Sequence, residues 1–256
     1  MNPYHPTHVL LVGDPVVGRD EYDRLLVEAL VAASEVSETI RIRLDADAFA
    51  EEHAEVVAAV DEQLEAVAAG GRTEYRGRST SELADPLEAL LTVDGWQRVH
   101  AIGSIRLDCG GRTCLEYLPD HESFTVSEDA NSEIGSVVKE SLDGHPGGLF
   151  PKRTLVEWER DGTAYSVEPP SLCVENTCFA LRALADVDPD PGTLSIELSW
   201  HDRSGGTLAN LVVSMVGAVG ATRPDELRFE SRGRFEAARD TLVRVVDVTG
   251  IRPNPE

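Results

Sequence analysis

The sequence predicts an α/β or α+β fold: a mixed, partly parallel sheet with interleaved helices and two β-hairpins. Three observations lead there. The chain opens with short apolar runs alternating with stretches of helical period, in the order β-α-β-α. Two later segments, about Gly110-Gly111 and Asp161-Gly162, place turn residues between alternating strands. The stretch 194–221 then reads strand, polar glycine-rich loop and apolar helix. A loop in that position is where open α/β sheets hold ligands.

Val9-Leu10-Leu11-Val12 suits a strand buried on both faces. Tyr22, Leu25, Leu26, Ala29, Leu30 and Ala33 follow at helical spacing, and Asp20, Glu21 and Asp23 favour the dipole of the first turn. Ile40, Ile42 and Leu44 alternate with Arg41 and Arg43, a strand with one wet face. Phe49, His53, Val56, Val60, Leu64 and Val67 form a helical stripe stopped by Gly70-Gly71. A right-handed crossover between parallel strands is expected from this order. The segment 73–78 is less clear. Asp85-Pro86 starts a short helix through Leu87, Leu90 and Leu91, and Asp94-Gly95 turns into a strand around 99–102.

Ile105 to Leu118 is the first hairpin, and Ile134, Val137, Val138 and Leu142 mark a short helix. In the second hairpin Trp158 faces Tyr165 and Val156 faces Val167. Leu172 to Ala185 reads as a helix and 186–192 as an acidic, proline-broken connector. Leu194, Ile196, Leu198 and Trp200 alternate as a strand. A strand at Leu227 and Phe229 follows, then a last helix carrying Phe235, Ala238, Leu242, Val245 and Val246, closed by Gly250. A boundary near Leu118–Asp120 divides the chain into 1–118, a β-α-β-α domain, and 119–256, an α+β domain. The alternative is a single mixed sheet through the whole chain.

Length and composition bound the function. A chain of 256 residues with 41% hydrophobic residues builds a proper core. The net charge is −23, and Lys139 and Lys152 are the only lysines. This composition resembles proteins that work in molar salt, where carboxylates stay hydrated and screening removes their repulsion. It argues against nucleic-acid and membrane-surface partners, because no basic stripe is visible along the chain. The start, Met1-Asn2-Pro3-Tyr4-His5-Pro6, lacks the pattern of a signal peptide, and the longest apolar run, 208–221, is too short to span a bilayer. A soluble, cytoplasmic protein is expected.

The candidate sites are two loops. Gly13 and Gly18 have the spacing of a phosphate-binding P-loop, but Arg19 stands for its lysine, Asp20 for its hydroxyl residue, and Pro15 removes a backbone donor. The second loop holds His201, Asp202, Arg203 and Ser204. There His201 is the candidate acid-base group, with Arg203 and Ser204 as anion contacts. The four cysteines fall in two pairs five residues apart, Cys109 with Cys114 and Cys173 with Cys178. This spacing is wider than zinc sites use, and a reducing cytosol disfavours disulfides, so buried free thiols are expected. The acids Asp186, Asp188, Asp190 and Glu197 fall at calcium-loop positions, but Pro191 stands where that loop needs glycine. No metal and no cofactor are expected.

With no catalytic motif intact, the expected function is non-catalytic: a salt-adapted ligand- or partner-binding, or regulatory, protein. The alternatives are an enzyme or degenerate P-loop-like protein binding a nucleotide or phosphorylated ligand, and a structural subunit of a larger assembly.

Overall fold

The computed structural model describes residues 3–13, 19–69, 72–93, 95–201 and 222–250. The chain forms two compact units. One comprises Met1–Leu10 and Gly18–His145, the other Leu11–Val17 and Pro146–Glu256.

The first unit holds β1 (His8–Val12, by its first residues), α1 (Arg19–Glu35), β2 (Thr39–Leu44), α2 (Ala46–Gln63), β3 (Glu65–Ala69) and β4 (Arg72–Arg78). Then come α3 (Ala84–Leu91), α4 (Gly95–Ala101), β5 (Ile102–Cys109), β6 (Arg112–Leu118), β7 (Ser123–Val126) and α5 (Ile134–Ser141). The strands lie in the order β3-β4-β2-β5-β6-β7-β1. Their pairings are all antiparallel.

This corrects the partly parallel sheet expected from the β-α-β-α opening. β2 lies between β4 and β5, and β1 lies beyond β7, so the first two strands are not neighbours. No right-handed crossover joins them. The strict alternation of β2, with Ile40, Ile42 and Leu44 buried and Thr39 and Arg43 exposed, is the signature of an antiparallel sheet wet on one face.

Several elements follow their local chemistry. The turn between β5 and β6 uses Gly110 (φ 57°) and Gly111 (φ 72°), the left-handed pair a two-residue hairpin requires. Leu25, Leu26, Ala29, Leu30 and Ala33 of α1 are fully buried, as their spacing predicts. Asp45 caps α2, accepting from the Ala48 amide. Two stretches depart from expectation, and a third that carried none takes a definite form. The stripe through Val67 stops being helical at Gln63 and continues as β3. The segment 73–78 is strand β4, and 99–101 is helical rather than extended.

The second unit contains β8 (Gly147–Pro151), β9 (Val156–Arg160), β10 (Thr163–Glu168), β11 (Ser171–Val174) and β12 (Thr177–Ala180). β13 (Leu184–Asp190), β14 (Ser195–Trp200), β15 (Glu226–Arg228) and α6 (Arg232–Thr249) follow. One antiparallel sheet runs β12-β11-β10-β9, another β13-β14-β15. The hairpin about Asp161-Gly162 has the expected register, with Trp158 opposite Tyr165 and Val156 opposite Val167. Both sheets and α6 share one core that includes Trp158, Val167, Leu172, Ile196, Phe229 and Phe235.

The helix expected over 172–185 is instead the hairpin β11-β12, a 3-10 turn and the start of β13. The acidic connector is strand β13. It tolerates Pro189 because it is an edge strand, where a missing donor breaks no central ladder. Among the described residues no helix is long and apolar enough to cross a membrane.

Candidate functional site

The first unit turns one face of its sheet to its helices and leaves the other open over β4 and β2. On the open face the registers align side chains into rows. Arg76 of β4 faces Arg41 of β2, Arg41 faces Arg106 of β5, and Arg106 faces Glu116 of β6. The next row carries Val67, Glu74, Arg43 and Ser104. The row on the other side carries Arg78, Thr39, Asp108 and Thr113. Like charges directly opposite one another destabilise a sheet. Three consecutive arginines across three strands therefore call for anionic neighbours.

Some are built in. Arg41 makes a two-pronged contact with Asp108, Nε to Oδ2 and Nη2 to Oδ1 both at 2.7 Å, and also donates to Thr113. That contact, with Asp108 the leading cause, holds the Arg41 pKa above its ordinary value. Arg106 donates to Glu116 at 2.6 Å, and Arg76 to Glu74. Gly103 lets the Arg72 guanidinium lie over the strand, because a Cβ there would strike it. Arg72 then donates to the His100 carbonyl. Arg43 and Arg78 are exposed and have no side-chain ion pair or hydrogen bond among the described residues. Toward β7 the face closes, with Ser104 and Thr125 buried and the Tyr4 hydroxyl 3.0 Å from Thr125 Oγ1. Burial raises the Tyr4 pKa well above the usual phenol range. Among the described residues the exposed large hydrophobic side chain is Val67, on the edge strand β3 of this same face.

A second polar centre lies beneath the helices of this unit. Arg98 of α4 and Asp23 of α1 are 7% and 5% exposed and form an ion pair. Arg98 also donates to the Leu91 carbonyl at 2.6 Å, satisfying the C-terminal end of α3, and stacks over Tyr22. Burial holds the Tyr117 hydroxyl protonated far above its ordinary range. The arrangement ties three helices together, which is a structural task. A crevice of about 300 Å³ beside it is lined by Asp23, Arg24, Val27, Glu88 and Thr92.

Of the residues singled out from sequence, the structure describes Gly13, Arg19 and His201. Gly13 is buried; its amide donates to the Pro146 carbonyl, and a Cβ there would strike the Thr249 carbonyl. Its small size thus serves close packing against the end of α6. Arg19 begins α1, while Gly18, Arg203 and Ser204 lie outside the described residues. His201 follows β14; its amide donates to Ala183 and its carbonyl accepts from Arg223.

The cysteines form two disulfides, Cys109–Cys114 and Cys173–Cys178, which corrects the expectation of free thiols and argues against zinc. Each pair joins adjacent strands of a hairpin, and Cys173 lies directly opposite Cys178. Such bonds persist in non-reducing surroundings. Among the described residues no group of three or more His, Cys, Asp or Glu could hold a metal ion.

Comparison with family models, curated proteins and solved structures finds no match for the chain.

The arginine face escaped sequence reading because its arginines come from three strands. Its signal was present as alternation, with Arg41 and Arg43 in one strand and Arg72, Glu74, Arg76 and Arg78 in another. Only the register sets these arginines side by side.

Proposed function

We propose that the chain is a non-catalytic partner-binding protein that receives a carboxylate-rich protein surface on the open face of its first sheet. The observation that carries this reading is the row Arg76, Arg41 and Arg106, flanked by Arg43 and Arg78. In a chain of net charge −23, a face whose arginines Arg41, Arg43, Arg76, Arg78 and Arg106 slightly outnumber Glu65, Glu74, Asp108 and Glu116 is a local exception to the acidic excess. Guanidinium forks match carboxylates bidentately, a geometry the Arg41–Asp108 contact already shows. The exposed Val67 at the rim adds an apolar contact. Nucleic acid is the competing anionic partner, which the same face would meet through its phosphates. A soluble protein in a non-reducing compartment accords with this reading, since both disulfides persist there.

The test is binding of poly-L-glutamate, followed by titration calorimetry at moderate potassium chloride. The native chain binds. Arg43→Gln with Arg78→Gln weakens binding about tenfold, since each exposed pair contributes up to about 1 kcal/mol. Equal binding by the double variant, or tighter binding of an oligodeoxythymidylate, overturns the reading.

A further inference from the structure

We infer that Cys173–Cys178 is a thiol-exchange site, opened by a dithiol reductant while Cys109–Cys114 stays closed, and that its state governs a crevice of the second unit. The inference does not depend on the proposed function. The two bridges differ in access. Cys109 and Cys114 are 6% and 0% exposed, whereas Cys178 is exposed and Cys173 half-buried. A thiolate must reach a sulfur to displace its neighbour, so access separates labile from inert bridges.

The exchange balances as follows. A thiolate of the reductant attacks Sγ of Cys178, forming a mixed disulfide. The bond to Cys173 breaks, and Cys173 leaves as a thiolate that takes a proton. The second thiol of the reductant then displaces Cys178, which is protonated in turn. Two electrons pass to the protein, and the reductant departs as its own disulfide.

What the bridge holds is the tip of the hairpin β11-β12. The turn passes through Glu175, in the left-handed region at φ 53°. Its amide donates to the Ala164 carbonyl, and its carboxylate accepts from the Ala164 amide at 2.7 Å. Glu175 and Ala164 line a crevice of about 470 Å³ together with Glu157, Glu159, Tyr165 and Arg234. Trp158 also lines it, stacked on Tyr165 with centroids 5.1 Å apart. Opening the bridge frees the strand pair on which Glu175 is mounted and loosens that wall.

The test uses the full chain in molar potassium chloride with increasing dithiothreitol, alkylation, and mass spectrometry of each cysteine. Cys173 and Cys178 should be alkylated at dithiothreitol concentrations about tenfold below those needed for Cys109 and Cys114. In the same samples, amide exchange should rise at Ala164 and Glu175. Simultaneous opening of both bridges, or Cys109–Cys114 opening first, overturns the assignment. The variant Cys173→Ser with Cys178→Ser should show the fast exchange at Ala164 without reductant. Unchanged protection there overturns the link to the crevice.

Discussion

At the residue scale, the Asp23–Arg98 pair shows how one buried contact organises three helices. An ion pair out of water is costly to form, but removing one member takes away the opposite charge that offsets the other's desolvation. Arg98→Leu should therefore cost about 3–5 kcal/mol in urea unfolding, whereas Asp23→Leu combined with Arg98→Leu should recover most of the loss. A loss under about 1 kcal/mol in the single variant would sink this account. Neither role was legible in the sequence. Asp23 showed itself as a first-turn acid, and Arg98 fell at the edge of a span expected to be a strand. The two are 75 residues apart, and no local pattern marks such a contact.

At the element scale, short-range chemistry was read well where it decided the outcome. Both hairpins expected about Gly110-Gly111 and Asp161-Gly162 are present, because turn residues with positive φ and alternating flanks need no distant partner. The last helix likewise buries Phe235, Ala238, Leu242 and Val245 as its stripe predicts. The segment 172–185 failed because its apolar residues suit either period. Leu172, Leu181 and Leu184 are all buried, in strand, turn and strand. Gly13 offers a test at this scale. Gly13→Ala should destabilise by about 1–3 kcal/mol, because its Cβ meets the carbonyl of Thr249, which cannot move without the end of α6. A thermal melt unchanged from the native chain would show that the close approach is unimportant.

At the scale of the whole molecule, charge sets the conditions under which everything else operates. The net charge of −23 implies strong self-repulsion at low salt. Rows of carboxylates add to it locally, since Asp188 faces Glu197 and Glu197 faces Glu226 across the three-stranded sheet. Lowering potassium chloride from molar to about 0.1 M should reduce the melting temperature, as the Debye length grows from about 3 to 10 Å. Stability that does not change with salt would remove the salt-adapted reading.

By itself the sequence determined what depends on composition and on neighbours along the chain: the acidic surface, the hairpin turns and the amphipathic stripes. Tertiary structure alone decided which strands lie side by side. From that follow the antiparallel sense of the sheets, the arginine row and the Asp23–Arg98 pair. The physical reason is that periodicity reports which side of an element is buried, not what buries it. Partners are chosen by the joint packing of residues far apart in the chain, against the entropy of closing the loops between them.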